Sequence, residues 1–229
     1  MVSHIQSETS DPILPVSHDQ KIWMINQSDL FEMIESQGKE CYGEKFSLWK
    51  EDVELLRKLL IYFFADGELA KKNDIDLKKG VLLAGPVGSG KTSIMALIRY
   101  FQSLQQRHIL KPCRDIVLEF HSKGFETINK YGKSFKKVEG SLLPVAYCFD
   151  DLGNENKASY YGNDCDVIKE IILSRYDLFE SIGMMTHFTT NLNEKELEVR
   201  YGENVISRLE AMTNFMAFNN STKDKRRHK

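Results

Sequence analysis

The octapeptide GPVGSGKT, Gly85 to Thr92, constrains the fold of this chain more than any other stretch. It fits the pattern G-x-x-x-x-G-K-[ST], with Gly85, Gly90, Lys91 and Thr92 at the fixed positions. An apolar run, Val81-Leu82-Leu83-Ala84, precedes it, and a helix-like run, Ile94-Met95-Ala96-Leu97-Ile98, follows it. The implied order is strand, tight turn, helix N-terminus. Glycines let such a turn curl until its backbone N–H groups point inward, and the helix dipole adds positive potential there. Gly85, Pro86, Val87, Gly88, Ser89, Gly90, Lys91, Thr92 and Ser93 are therefore predicted to cradle the phosphates of ATP. Lys91 is expected on the β- and γ-phosphates and Thr92 on Mg²⁺. The bland alternative is a chance match in a glycine-containing turn, which would not bring a strand and a helix to its two sides.

Downstream, strand-like and helix-like runs alternate as in a parallel α/β sheet. Strands are predicted at Gly80–Ala84, near Ile116–Phe120, at Val145–Phe149, at Met184–Thr190 and at Phe215–Phe218. Helices are predicted from the phosphate loop to about Gln106, from about Asp166 to Ser181, and over residues 203–212. Asn193, with Glu196 three residues on, has the form of a helix N-cap pair. Upstream, Ser28-Asp29 caps a short helix carrying Leu30, Phe31 and Ile34, stopped by Gly38. Trp49, Val53, Leu56, Leu60 and Phe63 recur at helical spacing until Gly67 ends the pattern. That second helix reads as a packing element.

The third predicted strand, in VAYCFDD, runs into two carboxylates. In a nucleotide hydrolase Asp150 would hold Mg²⁺, and Asp151 would orient and deprotonate the attacking water. The other reading is a strand end meeting a solvated acidic loop. Ligands gather at the carboxyl ends of parallel strands, and this strand should lie near the phosphate loop, which favours the first reading. Cys148 inside the strand reads as a small buried apolar residue. The next strand ends in THFTTN. Asn191 at its tip is a candidate to sense the γ-phosphate or the water, with Thr190 as the fallback; either could instead cap its own backbone.

Composition sets outer limits. A chain of 229 residues suits one α/β domain with an appendage. Its net charge of −2 means that any nucleic-acid contact must come from a local patch. The four cysteines form no C-x-x-C pair, so they predict reduced thiols and no zinc site. Residues 1–20 are polar and predict a loose tail without a signal-peptide pattern. No apolar run approaches the ~18 residues of a membrane span. A soluble cytoplasmic protein with no membrane partner is expected. One local patch exists: HSKGFETINKYGKSFKKVEG carries Lys123, Lys130, Lys133, Lys136 and Lys137, with Phe125, Tyr131 and Phe135 interleaved. Cationic tracks with stacking aromatics hold single-stranded DNA; a solvated helix with its aromatics in the core is the competing reading.

Taken together, GVLLAGPVGSGKTS, CFDDLG, SRYDLF, TTNLNEKEL and RYGENVISRLEAM resemble the AAA+ ATPases, and within them the DnaC-type helicase loaders and IstB-type transposition helpers. The resemblance runs from about residue 48 to 218. It implies a P-loop NTPase (ASCE-like) α/β fold: a five-stranded parallel sheet with helices on both faces, no C-terminal helical lid, and a short helical N-terminal extension. The implied domains are an extension over 1–47, an ATPase domain over 48–220 and a basic tail over 221–229. The implied activity is ATP hydrolysis, weak in the monomer, with ATP and Mg²⁺ as cofactors. The implied partners are further copies of the chain, single-stranded DNA, and a replicative helicase or a transposase. A helicase loader is the leading expectation. A transposition helper and a nucleotide-gated module that recruits a protein with little hydrolysis are the alternatives. Arg208, in ISRLEAM, matches the family's arginine finger, and Arg175 is a second interface candidate; a local salt bridge to Glu210 or Asp177 is the plain alternative for Arg208. Asn204 stands where the family often has an arginine, and the N-terminal part lacks a zinc-ligand pattern.

Overall fold

The computed structural model describes residues 27–102, 106–138, 140–219, 222, 224 and 225. The tail expected over residues 1–20, and most of the basic tail over 221–229, lie outside the described residues. In chain order the described elements begin with α1 (Gln27–Tyr42), α2 (Val53–Phe63), α3 (Gly67–Lys72), β1 (Gly80–Ala84), α4 (Lys91–Ile98) and β2 (Ile109–Pro112). Next come α5 (Cys113–Lys123), α6 (Phe125–Gly132), β3 (Phe135–Val138), β4 (Ser141–Pro144), β5 (Tyr147–Leu152), β6 (Ala158–Tyr160) and β7 (Asn163–Cys165). The last are α7 (Val167–Ile182), β8 (Thr186–Thr190), α8 (Glu194–Tyr201), α9 (Glu203–Met212) and β9 (Thr213–Ala217).

Every residue of β1 is buried, which requires a central strand covered on both faces. The main sheet has five strands in the order β2-β5-β8-β1-β9. All its pairings are parallel, so the carboxyl ends of β1, β5 and β8 lie side by side. Leu82, Phe149 and Phe188 turn to one face, where residues of α5, α7 and α9 cover them. Val81, Leu83 and Cys148 turn to the other face, against α2 and α4. The amphipathic α1 adds a layer, burying Leu30 and Ile34 against Leu60 and Leu97.

Several elements differ from the sequence reading for identifiable reasons. The second strand is not Ile116–Phe120. Those residues belong to α5, where Cys113, Ile116, Val117 and Phe120 are buried at helical spacing and Leu118 is exposed. The strand is β2, a short edge strand with little apolar signal because only β5 pairs with it. Gly38 does not stop α1, which continues to Tyr42. A Cβ there would meet the Phe46 ring at 2.1 Å, so this glycine admits a neighbour. Gly67 opens α3 after an Asp66 cap on Leu69 N at 2.9 Å. The helix after the phosphate loop ends at Ile98 and tightens into a 3₁₀ turn, Arg99–Phe101. β5 starts at Tyr147 and continues through the acidic pair, and β9 begins at Thr213. The capping box at Asn193 and Glu196 forms as expected.

Arg175 is not an interface residue. It is fully buried in α7. Its guanidinium donates to Thr186 Oγ1 at 2.6 Å, to the carbonyls of Tyr131 and Val145 at 2.9 Å, and to Met185 O at 2.8 Å. It also lies over the Tyr147 and Phe149 rings. Burial lowers its pKa to about 10, still far above neutrality.

On the α2/α4 face, His108 and His187 stack edgewise at 5.2 Å and are both buried. His187 Nδ1 accepts from Val81 N at 3.1 Å, and His108 Nε2 lies 3.1 Å from Met95 O. Burial, with the charge of Arg99, lowers the His108 pKa to about 3; burial, then His108 and Arg175, takes His187 well below 6.5. Both folded pKa values lie below the unfolded one. The stability they confer is complete above pH 6.5 and is lost as pH falls toward the folded values, by about 1.4 kcal/mol per pH unit for each ring. The urea midpoint should therefore fall from pH 7 to pH 5. Burial raises the carboxylates Asp52, Asp150 and Glu155, which act in the opposite sense. The histidine contribution is isolated by His108→Phe, whose slope should be shallower than wild type by up to about 1.4 kcal/mol per pH unit; an equal slope would remove His108 from the account.

Candidate functional site

The phosphate loop joins β1 to α4, with Gly90 in a left-handed conformation at φ 102° as the helix N-cap. Lys91, the first helical residue, is 4% exposed. Its Nζ donates to Gly85 O at 2.8 Å, Pro86 O at 3.1 Å and Asn191 Oδ1 at 2.5 Å. The loop lysine and the polar tip of β8 are thus brought together. Thr92 Oγ1 lies 2.9 and 3.0 Å from the two carboxylate oxygens of Asp150. The hydroxyl and carboxylate predicted to share a metal are in contact, and hard oxygen donors of this kind suit Mg²⁺.

A local irregularity positions the acidic pair. Phe149 pairs with Phe188, but the next paired residues are Leu152 and Thr190, so β5 carries one residue more than β8 across this step. The extra residue is accommodated by Asp151 at φ 58°, an uncommon conformation for a side chain other than glycine. The kink separates the two carboxylates. Asp150 turns inward, 5% exposed, where Thr189 Oγ1 donates to it at 2.6 Å. Asp151 is exposed, with its backbone N–H on Thr189 Oγ1 at 3.0 Å. Burial raises the pKa of Asp150, while the Thr189 and Thr92 hydroxyls oppose the shift. A buried carboxylate whose hydrogen-bond partners among the described residues are hydroxyls gains from a cation.

Thr189 was not foreseen, although it is the residue of THFTTN that reaches the acidic pair. Thr190, the fallback for Asn191, instead donates to Leu152 O at 2.7 Å and accepts from Leu192 N at 3.1 Å. The cleft lined by Lys91, Thr92, Asp150, Asp151 and Asn191 measures about 760 Å³. Its other wall has no counterpart in the sequence reading: Tyr42 at the end of α1, Phe46 from the stretch after it, Trp49 and Asp52 from the turn before α2, and Phe218 and Lys225 from beyond β9. Trp49 belongs to the helical packing stripe by its sequence spacing, but the structure puts it elsewhere. It precedes a 3₁₀ turn, Lys50–Asp52, and lines the cleft.

Behind the acidic pair is a second network. Glu155 is 5% exposed and accepts from Gly153 N at 2.9 Å, from Arg200 Nη2 at 2.9 Å and from the Tyr201 hydroxyl. Arg200 also bridges to Asp166 at 2.5 Å. The loop after the acidic pair is thereby fixed to α8, the helix that follows Asn191. Removing one partner of a buried ion pair costs about 3–5 kcal/mol. Arg200→Ala should therefore lower the unfolding free energy by that amount in a urea titration; a loss below about 1 kcal/mol would class the pair with exposed ones.

The remaining candidates lie elsewhere. Arg208, half-buried on α9, is not among the cleft residues. It lies over the Tyr176 ring at 5.2 Å and donates to Asn204 O at 3.1 Å and to the Asn204 side chain. Among the described residues no carboxylate pairs with it. The lysine segment folds as three parts. Lys123 and Lys130 both bind Glu119, at 2.9 and 2.8 Å, which with the Tyr131 hydroxyl holds that carboxyl at about 2. Tyr131 is buried, so it offers no stacking face. Lys133 is exposed in the turn after α6. Lys136 and Lys137 lie on the β3–β4 hairpin, where Lys137 is exposed with Phe135 and Leu142, and Lys136 is half-buried.

No family model matches the chain, and no curated protein sequence does. Solved structures do match. The DnaI protein matches at a TM-score of 0.50 and 21% identity, over 75% of this chain and 87% of that one. A putative primosome component from Streptococcus pyogenes serotype M3 matches at 0.50 and 14%, over 76% and 83%. The DnaC helicase loader matches at 0.48 and 19%, over 73% and 88%. The fold shared with DnaI and the primosome component is a five-stranded parallel sheet with helices on both faces. No described helix is long and apolar enough to cross a membrane.

Proposed function

We propose that the chain binds and hydrolyses ATP and acts on DNA as a replicative-helicase loader. The observation that carries the nucleotide part is the convergence of Lys91, Thr92, Asp150 and Asn191 at the carboxyl ends of adjacent strands. The likeness of fold to DnaI and to a primosome component supports loading over transposition.

In this reading the loop amides and Lys91 hold the phosphate chain, and Thr92 with Asp150 holds Mg²⁺. The ion, when bound, neutralises charge on the phosphate oxygens. Asp151, exposed beside the cleft, takes the proton of the attacking water. Asn191, tied to Lys91, orients that water or reads the γ-phosphate. Arg208 lies outside its own cleft, so it would serve a neighbouring copy's site, where γ-phosphate charge answers the guanidinium. ATP binding would thus order an oligomer.

The DNA part rests on Lys133, Lys136 and Lys137 with Phe135 on the β3 side of the domain. Labelled single-stranded oligonucleotide should bind in the presence of ATP, with an affinity that falls steeply with salt as counterions are released. Lys133→Ala/Lys137→Ala should bind about tenfold more weakly or less, with a shallower salt slope. Glu119 already holds Lys123 and Lys130, and Tyr131 is buried, which favours a second reading: a nucleotide-gated module that recruits a protein. Equal affinities, or no binding by either protein, would remove the segment from the mechanism and leave that second reading.

A further inference from the structure

Lys225 does what a bound base would do. Its ammonium lies 5.4 Å from the centroid of Trp49 and 5.1 Å from that of Phe218. It donates to Asp52 Oδ2, a carboxylate only 3% exposed and 173 residues away in sequence. The other oxygen, Oδ1, is buried and has no hydrogen-bond partner among the described residues. Two aromatic walls with a buried acceptor suit a flat ring that bears an amino group, as an aminopurine does. The same segment also sits on the phosphate loop. Lys225 N donates to Gly88 O at 3.1 Å. A Cβ on Gly88 would meet the Asp224 carboxylate at 1.9 Å. A carboxylate there opposes the approach of a phosphate anion by like-charge repulsion.

We infer that Trp49, Phe218 and Asp52 form the base subsite of the nucleotide cleft, and that Lys225 is a tethered competitor for it. The inference rests on the nucleotide reading above. Binding of a purine triphosphate replaces the lysine ammonium by the ring and its amino group at the same walls and the same carboxylate. It moves the Asp224 carboxylate off the loop for the same reason. The intrinsic affinity for nucleotide is then reduced by the fraction of molecules in which the segment is down.

The test uses the full chain and a non-hydrolysable ATP analogue. Lys225→Met removes the ammonium while keeping a side chain of similar length, so the analogue should bind about tenfold more tightly, as expected if the competitor occupies about nine-tenths of molecules. Unchanged or weaker binding overturns the inference. Reactivity of Lys225 toward an acetylating reagent, read by mass spectrometry, gives a second measure. It should rise when wild type binds the analogue, and should be high without nucleotide in Asp52→Asn. With Lys91→Ala, whose phosphate contacts are lost, the analogue should leave it low. Wild type that binds the analogue with Lys225 still protected overturns this inference alone. Wild type that binds no analogue overturns the nucleotide reading as well.

Discussion

An equimolar mixture of Lys91→Ala and Arg208→Ala should hydrolyse ATP although neither variant does so alone. Lys91→Ala leaves its own cleft without the cation that Gly85 O, Pro86 O and Asn191 now hold, and should bind ATP about ten- to a hundredfold more weakly. Arg208→Ala should bind ATP normally, because Arg208 is not in its own cleft. Its turnover should fall about 10³–10⁵-fold, the usual effect of an arginine supplied by a neighbour. In a head-to-tail assembly of the mixture, about a quarter of interfaces unite an intact cleft with an intact arginine. Specific activity of the wild type should also rise with protein concentration. If the mixture stays inert while the two variants co-assemble, Arg208 does not complete a shared site. If Arg208→Ala alone is fully active, the contacts to Tyr176 and Asn204 are its whole role.

Asp151→Asn should keep nucleotide binding and lose turnover by about 10²–10⁴-fold, the range for removal of a general base. The two aspartates are separable because the kink at Asp151 gives them different surroundings. Asp150 is buried among Thr92 and Thr189, so Asp150→Asn should weaken the Mg²⁺ dependence of binding as well. Asp151 is exposed and engages Thr189 only through its backbone. A single-turnover measurement with saturating ATP separates the steps. Wild-type single-turnover rates for Asp151→Asn would show that the proton goes elsewhere and that the acidic pair was read in the wrong order.

The site was legible where short-range chemistry dictates it. GPVGSGKT predicts a strand–turn–helix junction without tertiary information, and FDD at the end of an apolar run places two carboxylates toward the carboxyl end of a strand. The Asn193–Glu196 cap and α9 were readable for the same reason, since caps and helical spacing are local. What was not legible depends on partners distant in sequence. β2 has a weak apolar signal because an edge strand is half covered, and the apolar run after it satisfies a helix equally well. Gly38 looks like a stop until Phe46 is seen against it. The aromatic wall of the cleft comes from residues before β1 and after β9, which only the closed fold brings together. The lysine segment looked continuous in sequence, but Glu119, one turn earlier on α5, neutralises two of its charges. Arg175, in SRYDLF, read as a second interface candidate beside Arg208. It finds its partners in backbone carbonyls, which leave no trace in sequence.

That arginine has a mechanical consequence. A guanidinium with acceptors on three separate segments behaves as a non-covalent cross-link. It ties the end of α6, the stretch entering β5 and the stretch entering β8 to one point on α7. None of these can shift without stripping a buried cation of its ligands, a cost far above thermal energy. The roots of the lysine hairpin and the starts of β5 and β8 therefore belong to one rigid body. The opposite ends of those same strands carry Asp150, Asp151 and Asn191. Force on the hairpin is therefore delivered to the starts of the two strands whose far ends hold those residues, rather than absorbed at the hairpin's root.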